Sequence, residues 1–251
     1  MMNIPGAIGG QGYIENTKSV GETIKNVSSN VIGNNNTIFY LINSAEIIWI
    51  LGIITILMVM IISFIKTSRS VKKDHYIDDE YIADIFEECR RKTGVKRNID
   101  LLSSKFIESP SIYGFIHPKI LIPESLLQYE KEIDFKYIFM HELVHAKKNH
   151  ILINYIIFVL STIHWFNPII KYGLNKMKED IEISCDLEVL YLLDGNENED
   201  YGNSLLDLAE ISVRAPWLPQ MAGIINNKNK LKRRIEMIKK FKKIITKNFQ
   251  Q

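Results

Sequence analysis

A mainly helical α+β fold anchored to a membrane is what the 251-residue sequence predicts, with a small antiparallel sheet set among the helices. Three observations lead there. Nineteen residues from Ile47 to Ile65 carry no charge, and apolar residues recur at helical spacing over much of the chain that follows. Between the helical stretches, over residues 99–123, short apolar runs are broken by Pro110, Gly114, Pro118 and Pro123. With 46% hydrophobic residues the chain can bury a core, which excludes wholesale disorder. Its two cysteines, Cys89 and Cys185, form no CxxC pair, so the segment carrying them reads as lying in a reducing compartment.

Taken in order, residues 1–43 are rich in Gly, Asn and Ser, show no sustained period and read as a flexible extracellular tail. Residues 44–66 form the membrane helix, since at about 1.5 Å per residue the uncharged run crosses a hydrocarbon layer of roughly 30 Å. A signal peptide would lie nearer the amino terminus behind a basic region. Lys66, Arg69, Lys72 and Lys73 follow directly, and the positive-inside rule puts their side in the cytoplasm. Tyr81, Ile82, Ile85, Phe86 and Cys89 form a helical stripe over Asp79 to Lys92. The runs IDLLSS, SIYGFI and KILIP then read as the strands of the sheet, a helix restarts near Pro123, and another covers Asp134 to His150.

That last helix carries His141-Glu142-Leu143-Val144-His145, an HExxH motif. Residues four apart share a helical face, so both imidazoles can reach one Zn²⁺ while Glu142 projects beside them as a general base for an attacking water. Such a triplet arises by chance in roughly one chain of this length in a hundred at ordinary residue frequencies. Its bland alternative, a solvated face continuing into Lys147 and Lys148, is opposed by the packing side that Ile138, Phe139, Leu143, Val144 and Ala146 supply. Catalytic zinc sites of this kind take three protein ligands, commonly His₂Glu. Downstream, Glu182 is the candidate third ligand, and Asp186, four residues on, is the candidate acceptor for the far ring N–H of a ligating histidine. Cys185, three residues from Glu182, reads as a small buried residue. Tyr113, His150 and His164 are the candidate donors to an oxyanion.

HELVH, followed by HWFNP from His164 to Pro168 and EISCD from Glu182 to Asp186, and preceded by SPSIYGFIHPKILIP, resembles the membrane metallopeptidases of the BlaR/MecR type, the β-lactam sensor-transducers of bacteria. The resemblance covers residues 45 to 245. It implies a zincin-like fold facing the cytoplasm of a bacterial cell membrane, with zinc held by His141, His145 and Glu182, Glu142 as base, and Asp186 behind the ligands. It also implies cleavage of a regulatory protein, which in the characterised sensors is a winged-helix repressor of resistance genes. The sequence ends at Gln251 without their penicillin-binding sensor domain, so the expectation is of the peptidase module acting in a signalling or antibiotic-response pathway. The alternative is a proteolytically silent membrane receptor whose metal site is structural.

A peptidase domain over residues 75–212 follows, and the zinc requirement shapes it. His145 and Glu182 must meet at one ion, so the apolar stretch between them, Ile151 to Ile170, cannot cross the membrane once. It is expected to dip into the bilayer and return with a break near Asn167-Pro168, or to lie along the interface. The strands around Ile112 to Ile122 could offer an edge to an extended substrate. Finally, Lys228 to Lys247 hold ten Lys and Arg against one Glu, a local +9 that leaves −7 for the rest of a chain whose total is +2. With Leu231, Ile235, Ile238, Phe241 and Ile245 at helical spacing, residues 213–251 read as a basic amphipathic tail for membrane lipids rather than for nucleic acid.

Overall fold

The computed structural model describes residues 11–107, 109–130, 133–194, 197–214 and 228–248, with few side chains between 11 and 42 and none from 242 onward. It divides into two units, residues 1–56 and 57–251.

Helix α1 runs from Gln11 to Val71. The stretch expected to be a tail is therefore helical from Gln11, while residues 1–10 lie outside the described residues. The signal is present in the sequence: Val20, Ile24, Val27 and Val31 recur at steps of four, three and four, a helical period that the intervening Asn, Ser and Gly obscured. Asn43–Val71 is the one described segment long and apolar enough to cross a membrane, and its most apolar part is not buried in the protein.

In the second unit, β1 (His75–Tyr76) leads into α2 (Glu80–Thr93). Asp79 caps α2 by accepting from the Ile82 amide at 3.1 Å, and Gly94, at φ 72°, closes its far end. Three strands follow, β2 (Asp100–Ser104), β3 (Ser111–Tyr113) and β4 (Lys119–Pro123). They form a four-stranded sheet in the order β1-β2-β4-β3. The sheet is mixed rather than wholly antiparallel, because β2 and β4 pair in parallel from Asp100–Lys119 to Ser104–Pro123. The reason is topological: β3 and β4 form a hairpin, and β2 lies on the other side of β4. Gly114 permits that hairpin, as its φ is 86° and an added Cβ would stand 2.7 Å from the His117 carbonyl oxygen. From Ile120 to Pro123 consecutive residues of β4 are buried, with Ile120 and Ile122 in the main core and Leu121 packing with Leu102 and Val71. A strand covered on both faces needs such a continuous apolar run.

After α3 (Glu124–Leu127), helix α4 (Phe135–Lys147) passes through the centre of the domain. Phe139, Met140, Leu143 and Val144 are fully buried, so the motif helix is a core element and not a solvated face. It stops three residues earlier than the sequence suggests. Asn149 takes a left-handed conformation at φ 53°, the one non-glycine positive φ among the described residues, and α5 (His150–Ile163) starts on a new axis. Such a conformation costs an ordinary residue about 1–2 kcal/mol but suits Asn, whose amide oxygen here accepts from Arg97 Nη1 at 3.1 Å.

The apolar stretch breaks where expected. Asn167 caps α6 (Pro168–Leu192) by accepting from the Ile169 and Ile170 amides, with Pro168 at the first helical position. Helix α7 (Asn198–Arg214) and helix α8 (Lys228–Asn248) complete the described chain. Helix α8 corrects the reading of a separate tail. Its Ile238 is buried in the main core and Ile235 and Phe241 pack against it, so that stretch of the apolar stripe serves the protein interior. Residues 215–227 of the expected tail lie outside the described residues.

Candidate active site

Helix α4 presents His141 and His145 on one face, their rings in edge contact with centroids 4.8 Å apart and their Nε2 atoms 3.2 Å apart. Glu182 reaches the same point from α6, with Oε2 3.3 Å from His141 Nε2 and Oε1 3.7 Å from His145 Nε2. A tetrahedral zinc ion with bonds of about 2.0–2.1 Å spaces its ligand atoms about 3.3 Å apart. The two imidazole nitrogens and Glu182 Oε2 beside His141 match that spacing, the ligand atoms of all three residues lie within 4.8 Å of one another, and the two-imidazole, one-carboxylate donor set fits such an ion.

Protonation reflects the same gathering. Burial alone would lower His141, but the carboxylates of Asp186 and Glu182 outweigh it and raise the ring to about 9. His145, buried beside that charge, is lowered to about 3. Glu182 is held down to about 2 despite its burial, by the hydrogen bond and charge of His141. The carboxylates that would face the ion thus already favour positive charge at this point.

Glu142 stands next to the cluster. Burial pushes its carboxyl up to about 7, with His141 opposing and Glu182 adding to the shift, and it accepts a hydrogen bond from the Ile112 amide of β3. A carboxylate poised near neutrality suits a general base. Together with Glu142, His141, His145 and Glu182 open on a cavity of about 330 Å³, whose wall includes Ile112, Asn154 and Arg234. That volume is within the range of ligand-binding clefts.

Behind His141 lies a buried polar network. Its Nδ1 is 3.1 Å from the Tyr201 hydroxyl and 3.4 Å from Asp186 Oδ1. Tyr201 donates to Asp186 Oδ1 at 2.6 Å, and Arg234 grips both oxygens, with Nε to Oδ2 at 2.7 Å and Nη2 to Oδ1 at 2.6 Å. Asp186 has no solvent exposure, yet Arg234 and His141 hold its carboxyl well below the usual range. Cys185 is buried as well.

Two residues of this network escaped the sequence reading. Tyr201 sits in an acidic run with no motif around it. Arg234 had a signal: it falls three residues after Leu231 and four before Ile238, on the apolar stripe of α8, where a charge implies a buried partner. The three expected oxyanion donors are not on the cavity wall. Tyr113 stacks on Phe64, His164 ends α5, and His150 stands behind His145.

Over most of its length the chain is similar to known proteins. The family model described as BlaR1 peptidase M56 matches residues 13–238. Regulatory protein BlaR1 of Bacillus licheniformis is 29% identical over 194 residues, which cover 77% of this chain and 32% of that protein. The methicillin resistance mecR1 protein of Staphylococcus aureus is 29% identical over 161 residues, 64% of this chain and 27% of its own length. Regulatory protein BlaR1 of Staphylococcus aureus is 28% identical over 165 residues, 66% and 28% respectively. The chain thus spans about a third of the length of the curated relatives it matches. With the family model covering nearly the whole chain, this protein belongs to the BlaR1 peptidase M56 family.

Proposed function

We propose that the chain is a membrane-tethered zinc endopeptidase that cleaves a regulatory protein, with its domain on the cytoplasmic side. The observation that carries this reading is the meeting of His141, His145 and Glu182 at zinc-ligand spacing with Glu142 beside them. Bound there, Zn²⁺ would supply Lewis-acid chemistry to the scissile carbonyl and to the attacking water. Glu142 takes a proton from that water and hands it to the leaving amine, while the Ile112 amide keeps its carboxylate turned to the cavity. Asn154 offers an amide donor on the same wall. Strand β3 forms one edge of the sheet and its Ser111 and Ile112 line the cavity, which suits an extended peptide added alongside.

The relatives are described as regulatory and methicillin resistance proteins, and a winged-helix repressor in an antibiotic-response pathway is the substrate this likeness suggests. An intact base favours catalysis over a silent receptor, which would have no use for a carboxylate beside an open ligand position. Purified in detergent, the protein is expected to carry about one zinc per chain by elemental analysis, and Glu182→Ala to lower that occupancy at least tenfold. Wild-type protein with no stoichiometric metal would sink the proposal.

The elbow between α5 and α6 supports membrane contact by the domain. No charge occurs from Ile151 to Ile170, yet Ile156, Val159, Phe166 and Ile169 are exposed, Ile169 by 80%. We propose that this elbow enters one leaflet and returns, consistent with α5 being too short to cross. In vesicles carrying brominated acyl chains, the fluorescence of Trp165, with the other two tryptophans replaced by Phe, is expected to be quenched; emission indifferent to bromine would refute insertion.

A further inference from the structure

The network behind His141 leaves a question about its partner. If His145 is to ligate through Nε2, that nitrogen must be bare, and a neutral imidazole then carries its single proton on Nδ1. This N–H is buried and needs an acceptor. The atom in reach is Nδ1 of His150, at 3.2 Å, with the two rings 5.0 Å apart and nearly perpendicular.

Backbone geometry shows how His150 comes to be there. In an unbroken helix at 3.6 residues per turn, a residue five positions on lies about 140° around the axis, well away from the face of His145. The left-handed turn at Asn149 interrupts α4 and returns the next side chain to that face. Arg97 holds the turn through Asn149 Oδ1. A sparsely populated conformation is thus retained at the one point where it delivers a ring to the site.

We propose that His150 is the positioning residue for His145, accepting its Nδ1 proton and so fixing the tautomer and ring angle that aim Nε2 at the metal cluster. The inference rests on the zinc reading above. Asp186 and Tyr201 stand behind His141 and His150 stands behind His145, so each imidazole has its own support. Cys185 Sγ lies 3.3 Å from the same His150 nitrogen, and the donor atoms of His145, His150 and Cys185 fall within 4.8 Å of one another, a spacing that a second metal ion could also use. Burial, together with the nearby carboxylates of Glu182 and Asp186, pushes the Cys185 thiol far above its usual range, so an ion held there would have to displace that proton.

The test uses the full chain in detergent micelles and reads zinc affinity by chelator competition, beside the melting temperature of the metal-free protein. His150→Phe keeps a ring but offers no acceptor, and is expected to weaken zinc binding by roughly 10- to 100-fold. His150→Asn places an amide oxygen near the position of Nδ1 and is expected to stay within a few fold of wild type. Equal affinity in all three proteins, or a loss in the Asn variant as deep as in the Phe variant, would overturn the proposal. Should His150→Phe not fold, His150→Leu replaces it with the same expectation. Titration with Co²⁺ separates the metal alternative: one equivalent without a thiolate charge-transfer band supports the positioning role. A second equivalent with such a band, lost in Cys185→Ala, would overturn it. Wild-type protein that binds no zinc would overturn the peptidase reading itself and this inference with it, whereas zinc-binding wild type with indifferent variants would overturn only the inference.

Discussion

Replacing Glu142 by Gln is expected to lower peptide cleavage by roughly 10²- to 10⁴-fold while zinc content stays near one per chain, since a general base contributes about that much. The replacement is nearly isosteric. It keeps an oxygen able to accept from the Ile112 amide, so β3 and α4 remain in register, and it removes only the group that takes the proton. Cleavage of a peptide library followed by mass spectrometry measures the first quantity, and elemental analysis the second. Unchanged cleavage would mean that another residue is the base or that the activity is not this site's. The contrast with Glu182→Ala, where the metal itself is lost, separates a base from a ligand.

A second large effect is expected on stability. Arg234→Met should destabilise the metal-free protein by about 3–5 kcal/mol, because the fully buried Asp186 carboxylate loses the guanidinium that pairs with both its oxygens and keeps only Tyr201 and His141. Arg233→Met on the same helix is the control: Arg233 is itself exposed, as is its partner Asp180, though Glu179 is half-buried, and pairs at the surface contribute about 0–1 kcal/mol. Combining Arg234→Met with Asp186→Leu should regain much of the loss, since neither charge is then buried alone. Chemical unfolding followed by circular dichroism provides the comparison. If the two arginines prove equivalent, α8 is a loosely attached tail, as its composition suggests, and not part of the domain. The packing of α8 favours the domain: Ile238 lies in the core and Arg234 reaches the residues behind His141.

These two expectations differ in how far the sequence could anticipate them. Glu142 belongs to a motif whose spacing is local, and a helix alone places His141 and His145 side by side. Local pattern also carried the membrane helix, the α2 stripe, the strands broken by Pro and Gly, and the family likeness through its ordered motifs. It was misleading where composition masked period, as in the helical residues 11–43, and where a charge-rich stripe suggested a surface, as in α8.

What the amino-acid order determined by itself was therefore every feature set within a few residues: periodicity, the HExxH face, the break at Asn167-Pro168. Only the tertiary structure decided which distant groups meet. It brought Arg234 and Tyr201 to Asp186, paired β2 with β4 in parallel, and turned His150 back toward His145 through one left-handed residue. The physical reason is range. Helical and strand periods are set by bonds to near neighbours, whereas a buried charge or ring nitrogen takes whichever partner the closed core sets beside it, and no spacing along the chain encodes that choice.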